Sequence, residues 1–266
     1  MWRRYLQVCA LVVAWWLPGG FAFASDAARA SDAWVTVVEA APKDFFYEAW
    51  AGGDGGGRSM SVYGGMTSSL SGDIRGDGFR LRSAGAYGTY AYTRSYAVDG
   101  RKAWQDFAGT MWSTDLMLGY QAAAGLWIVK AFVGASQETH VVRPRGGDGL
   151  AVDTENAVQG DRLGFKGSLE TWLNIDNIAF LQTDLSWSSA FKAYGGRVRT
   201  GYRLNPALST GLEAGIHGNV NHDAGRAGAF LRFEWTGGEV SASAGAAGNH
   251  HDVTGIYGSL GLMIRF

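Results

Sequence analysis

From Asp44 onward the chain is a series of stretches in which apolar and polar side chains alternate with period two. That period belongs to strands with two unlike faces. In Leu163–Leu173, Lys166, Ser168 and Glu170 oppose Leu163, Phe165, Leu169 and Leu173. In Gly196–Leu204, Arg197, Arg199 and Arg203 oppose Val198, Tyr202 and Leu204. Leu208–Asn219 sets Glu213, His217 and Asn219 against Leu208, Leu212 and Ile216, and Ala229–Trp235 sets Arg232 and Glu234 against Leu231, Phe233 and Trp235. Trp112–Gln121 sets Asp115 and Gln121 against Trp112, Leu116, Leu118 and Tyr120. The pattern predicts about twelve strands, near 44–51, 59–69, 78–93, 104–122, 125–141, 161–174, 177–189, 193–204, 207–218, 225–236, 239–248 and 255–266.

A soluble sandwich also alternates, so three further features decide between the classes. Several segments exceed the usual 5–6 residues and suit the ~9–11 needed to cross a bilayer at a tilt. Connections alternate in length. Ala123-Ala124-Gly125, Ile175-Asp176, Asn205-Pro206 and Gly237-Gly238 are tight and Leu70–Gly78 is intermediate, whereas Arg94–Ala103, Val142–Gly160 and Asn219–Ala224 make up the other set. Short turns at one rim and long loops at the other are the outer-membrane arrangement. The chain also ends on an apolar strand. Ser259, Gly261, Ile264 and the terminal Phe266 resemble the signal read by the bacterial barrel-assembly machinery. The expectation is an all-β, antiparallel transmembrane β-barrel over residues 44–266. It must close, because lipid leaves no partner for an open sheet edge.

Residues 1–24 read as a secretory signal peptide. Arg3 and Arg4 precede an apolar run from Tyr5 to Leu17, and Ala22-Phe23-Ala24 offers a cleavage site before Ser25. Residues 25–43 read as a periplasmic lead, with Trp34–Val38 as a short candidate strand. Cys9 is the only cysteine, so the exported chain is expected to have no disulfide and no thiolate chemistry. No later stretch is long and apolar enough for a spanning helix.

Composition sharpens the picture. The chain has 266 residues, 40 of them Gly and only 4 Pro, with 13% aromatic and 18% charged residues. So many aromatics exclude disorder, and glycines without a three-residue period exclude collagen. A formal net charge of -1 argues against a nucleic-acid partner, which requires a basic footprint. A sheet with one face in lipid accounts for the scarcity of charge, with aromatics at the two interfaces.

The inward-pointing polar set is Arg80, Arg82, Asp115, Lys130, Lys166, Glu170, Asp184, Arg197, Arg199, Arg203, Glu213, Arg232 and Glu234. Opposite charges on neighbouring strands favour a lumen ion-pair network, and an arginine ladder for acidic or sugar-like solutes is the alternative. The inward aromatics Tyr90, Tyr92 and Trp172 are too few and scattered to suggest a glucan path. Asn249-His250-His251-Asp252 and His222-Asp223 fall in outer loops, and an adjacent His pair on a strand points to opposite faces, so no metal site is expected. Neither His140 nor His217 lies in a motif with a nucleophilic Ser, so no catalytic residue and no cofactor is assigned. The run Gly52–Gly57 has no Lys-Ser/Thr and reads as a flexible outer turn.

Several patches, in order, carry a family resemblance. They are Tyr63-Gly64-Gly65, Gly72-Asp73, Asp77–Arg82, Gly85–Tyr92 and Gly119-Tyr120-Gln121, followed by Ser189-Ala190-Phe191, Arg197–Arg203 and Gly211–Gly215. Over about Tyr47–Phe266 the chain resembles the bacterial cellulose biosynthesis protein BcsS family, departing from it at Ala224-Gly225-Arg226. The resemblance implies a Gram-negative outer-membrane barrel beside the cellulose synthase machinery, with synthase components or glucan as partners besides lipid and the assembly machinery. It carries over no reaction. The leading expectation is a non-enzymatic accessory barrel. The alternatives are a narrow diffusion channel for small acidic or sugar-like solutes and an outer-membrane lipid-modifying enzyme.

Overall fold

The computed structural model describes residues 44–98, 101–147, 158–176, 178–220, 223–248 and 253–266. The signal peptide and lead expected over 1–43, together with His222 and Asn249–Asp252, lie outside the described residues. Twelve strands run in chain order. They are β1 (Tyr47–Gly56), β2 (Ser59–Ser69), β3 (Gly78–Val98), β4 (Arg101–Ala124), β5 (Trp127–Gly147), β6 (Gly160–Ile175), β7 (Ala179–Ser188), β8 (Tyr194–Asn205), β9 (Leu208–Gly218), β10 (Asp223–Trp235), β11 (Gly238–Gly248) and β12 (Val253–Arg265). Each pairs antiparallel with its sequence neighbours, and β1 pairs with β12 to close the barrel. Within the closed part of the barrel no strand edge is left free, the condition lipid imposes.

The two-residue period sorts the side chains by face. Leu212, Ile216, Leu231, Ile256 and Leu260 stand exposed on the outside, while Arg80, Arg232, Phe132 and Phe180 are almost fully enclosed. A closed sheet with an apolar exterior and a charged interior is the build of a membrane barrel. Exposed aromatics mark one rim: Phe79 packs edge-on to Tyr120 at 5.1 Å, and Tyr47 stacks on Phe266 at 5.5 Å. Further along, Tyr87 faces Trp112 across β3 and β4, both exposed. Tyr87 lies eight residue steps beyond Phe79. At ~3.3 Å per residue and a ~40° tilt they span about 20 Å of barrel height, close to the apolar band of such barrels.

Because the strand number is even, the start of β1 and the end of β12 lie at one rim, here called the terminal rim. Its turns are tight. Gly125 turns at φ 61, Asp176 at φ 47, and Asn205 Oδ1 accepts from the backbone N–H groups of Ala207 and Leu208 at 2.9 Å each. The strand nearest the C-terminus also ends in order: the Phe266 carbonyl accepts from Phe46 and Tyr47 N–H at 3.0 and 2.9 Å.

Three expectations need correction. Gly52–Gly56 is not a turn. It continues β1 between β2 and β12, because both neighbours hydrogen-bond its backbone and Gly56 packs against Tyr257 where a Cβ would collide. The stretch expected to be a loop at Arg94–Ala103 is mostly strand, since β3 reaches Val98 and β4 starts at Arg101. Likewise β5 runs on to Gly147 rather than yielding to a loop at Val142. At 24 residues β4 is ~80 Å of extended chain, far beyond the ~9–11 residues that cross a bilayer. β3, β4 and β5 therefore rise as a continuous wall past the far rim.

Candidate functional site: the lumen

The thirteen candidate lumen residues fall into distinct groups. On β8, Arg197 donates to Asp184 of β7 at 2.7 and 2.9 Å, Arg199 Nε donates to Glu213 of β9 at 2.7 Å, and Arg203 donates to Asn174 of β6 at 2.7 Å. Lys166 of β6 reaches Asp115 of β4 at 2.5 Å. Arg82 of β3 pairs with Glu170 of β6 and lies 3.7 Å above the Phe132 ring. Lys130 of β5 stands 3.8 Å from Glu48 of β1, and Glu48 also holds Arg265 at 3.3 Å. Among the described residues, the acidic neighbours of Arg232 stand at long range, Glu234 at 3.5 Å and Glu239 at 3.8 Å. Arg232 is 1% exposed and sits 4.4 Å over both the Trp172 and Phe180 rings. Several of these contacts join strands that are not neighbours, so they cross the lumen.

Glu213 is the centre of the densest group. Its side chain is 0% exposed. Besides Arg199, it accepts from Ser243 of β11 at 3.0 Å and from Tyr257 of β12 at 3.1 Å, and lies 3.4 Å from Arg226 Nε of β10. Arg226 in turn reaches Asp54 of β1 at 2.7 Å. One carboxylate thereby links five strands, and a sixth through Arg226. Burial of this charge is tolerable only because its lone pairs are filled. Sequence reasoning missed Glu48, Asp54, Arg226 and Tyr257. Parity was the available signal: Arg226 shares its face with Arg232, and Asp54 shares its face with Glu48.

Among the described residues, Arg80 joins no ion pair. It clasps the connection between β2 and β3, donating to the carbonyls of Ile74 at 3.1 Å and Gly76, and to Ser69 Oγ at 3.0 Å. Gln121 donates to the carbonyls of Arg75 and Gly76 at 2.8 and 2.9 Å. This connection folds inward at the terminal rim with Ile74 buried. Outside the strands, burial raises the Asp73 pKa, but bonds from the Arg75 guanidinium and backbone outweigh it and leave the carboxyl below its ordinary value.

The 3-10 turn Ala190–Lys192 folds inward at the far rim. Phe191 and Lys192 have φ 48 and 50, a conformation that costs a non-glycine residue energy and persists where its surroundings hold it. Phe191 packs edge-on to His140 at 4.8 Å, with Arg162 5.0 Å over its ring. His140 Nδ1 is 3.2 Å from the Tyr90 hydroxyl.

The inward aromatics are neither few nor scattered, which corrects the expectation. Besides Tyr90, Tyr92 and Trp172, the inner faces carry Trp50, Tyr63, Phe107, Phe132, Phe180, Phe230 and Tyr257. Phe107 stacks on Tyr92 at 5.1 Å, and Phe180 on Trp172 at 4.5 Å. Many face a glycine directly across the ladder: Tyr63 meets Gly52, Trp50 meets Gly65, Tyr90 meets Gly109, Phe132 meets Gly119 and Phe180 meets Gly201. At each, the ring occupies the space a Cβ would take. Much of the glycine surplus is therefore the counterpart of the aromatic surplus.

The sequence model of the family described as cellulose biosynthesis protein BcsS matches residues 49–266. The chain belongs to this family. The match covers the barrel almost from the start of β1 to the last residue, and so takes in the BcsS lumen described above apart from Glu48. No curated protein matches the chain. Among solved structures, the fold is similar to a KdgM porin in complex with disordered oligogalacturonate (TM-score 0.45, 10% identity, 82% of this chain and 99% of that one). It is also similar to the transport unit of the autotransporter AIDA-I from Escherichia coli (TM-score 0.47, 13% identity, 90% and 97%). The translocator domain of NalP from Neisseria meningitidis gives a TM-score of 0.44 at 14% identity, over 91% and 98%.

Proposed function

We propose that this BcsS-family chain is a non-enzymatic outer-membrane barrel of Gram-negative bacteria that assists cellulose production or export. The family match across the barrel carries this reading. An export signal in residues 1–24 and the terminal signal Ser259, Gly261, Ile264 and Phe266 would bring the chain to the barrel-assembly machinery, and the apolar exterior suits contact with lipid. Its partners are then cellulose synthase components or the glucan itself. The thirteen polar residues act as a lumen network that stiffens the barrel. Deleting the gene and measuring surface cellulose tests the reading. Cellulose should fall, and unchanged cellulose removes the role while leaving the fold intact.

A narrow channel for small acidic solutes is the second reading, favoured by Arg197, Arg199, Arg203 and Arg232 on β8 and β10. Against it stand the pairs that cross the lumen, Lys130 with Glu48, Arg82 with Glu170 and Arg226 with Asp54. Planar bilayers separate the two. The accessory barrel gives no steady anion-selective conductance, whereas the channel does.

A further inference from the structure

Among the described side chains, ten aromatics on the inner faces of the strands line the lumen, but their ring faces are not equally available. Phe132 is covered by Arg82 at 3.7 Å, Phe180 by Arg232 at 4.4 Å and Tyr257 by Arg226 at 5.1 Å. Phe107, Phe132, Phe180, Phe230 and Tyr257 are all buried. Trp50, Tyr63 and Tyr90 differ. They remain partly exposed, and among the described residues no guanidinium stacks on them. All three lie on one stretch of wall, β1 to β3.

Their orientation follows from the glycines opposite. A Cβ on Gly65 would stand 2.6 Å from Trp50 Cζ2, and one on Gly52 would stand 2.6 Å from Tyr63 Cζ. The Tyr90 ring lies over Gly109 in the same way. A ring that fills the place of a missing side chain lies against the wall and turns its other face to the lumen.

The rings also ascend in steps. Trp50 is level with Gly65, Tyr63 stands two residues higher on β2, and Tyr90 is level with Ser59, four residues beyond Tyr63. At ~3.3 Å per residue the three cover about 20 Å along the strands. Tyr92 extends the series beside Tyr90 at 6.2 Å. Asp54, opposite Ser61, lies between the levels of Tyr63 and Tyr90; one carboxylate oxygen accepts from Arg226 at 2.7 Å, and its remaining lone pairs can accept from further donors.

We propose that the inner wall of β1–β3 is a binding track for a β-linked glucan segment, with Trp50, Tyr63 and Tyr90 as stacking platforms and Asp54 as a hydroxyl acceptor. The inference rests on the cellulose reading for its choice of polymer. Flat π-faces in single file match the C–H faces of successive sugar rings, and the carboxylate matches the hydroxyls at their edges.

The test is isothermal titration of the folded full chain in detergent with cellohexaose, against a uronic-acid oligomer of equal length. Folding is verified by heat-modifiable migration. Each ring is expected to contribute roughly two- to tenfold in Kd, so W50L/Y63L/Y90L should bind cellohexaose far more weakly, with W187L on the outer face as the unaffected control. Should the triple variant not fold, the three single variants carry the same test. Absence of cellohexaose binding by the folded wild type, equal binding by the variants, or preference for the uronic-acid oligomer overturns the track. Complementing a deletion strain separates this from the parent reading. Full rescue of surface cellulose by the triple variant removes the track and keeps the accessory role. Unchanged cellulose in the deletion strain removes the role, and the titration alone then decides the track.

Discussion

Replacing Glu213 by Ala removes the acceptor shared by Arg199, Arg226, Ser243 and Tyr257. Arg226 keeps Asp54 at 2.7 Å, but Arg199 has a side chain only 4% exposed and is left without a counter-charge. Breaking a buried pair by deleting one partner costs about 3–5 kcal/mol. The two hydroxyl donors add to this unless they find other acceptors. Glu213→Gln keeps an acceptor oxygen and the shape, so its loss should be about half as large. Asp184→Ala is the control: its pair with Arg197 has side chains 28% and 29% exposed, where screening leaves about 1 kcal/mol or less. The assay is equilibrium urea unfolding in micelles, followed by tryptophan fluorescence, with the folded fraction read by heat-modifiable gel mobility. If Glu213→Ala costs no more than Asp184→Ala, the carboxylate is not the organising charge of the lumen.

Other outcomes follow from the same structure. Gly201→Val forces a side chain into the Phe180 ring and should cost at least ~1–3 kcal/mol, whereas Gly55→Val, with no atom within 4 Å of its Cβ position, should be neutral in the same unfolding assay. The lowered Asp73 pKa means its bonds to Arg75 stabilise the β2–β3 turn above the unfolded value of ~3.9, and that stability is lost as pH falls through the folded value. Limited acid proteolysis should therefore open residues 70–77 only below about pH 4, and Asp73→Asn should remove the pH dependence. Phe266→Ala deletes the ring stacked on Tyr47, and should lower the fraction of chain that reaches the heat-modifiable form in outer-membrane extracts.

The strand pattern was legible because the two faces of this sheet meet opposite solvents. Leu212 against Glu213, or Leu231 against Arg232, announces its face without any knowledge of neighbours. The length of β3–β5 was less legible, since the alternation fades past Thr93, yet Asp99-Gly100 is a strong hairpin signal that favours long strands on either side. Gly52–Gly56 misled because glycine without a side chain has no face to show, and only pairing with β2 and β12 makes it strand. Partners such as Asp54 and Arg226 are 172 residues apart, and no local pattern brings them together. They meet because the sheet closes. The inward folding of Ile74 and Phe191 was hidden for a related reason: each apolar residue in a connection is explained only by the cavity it enters.

The strand that completes the circle carries carboxylates on its inner side. Glu48 waits for Lys130 and Arg265, and Asp54 for Arg226, cations supplied by β5, β12 and β10. A slip of one residue in β1 would turn both acids and Trp50 outward into hydrocarbon and put Ala49, Ala51 and Gly53 among the arginines. The final joint is therefore self-checking: only the correct alignment neutralises the waiting cations, and a misaligned closure is penalised on both sides of the wall at once.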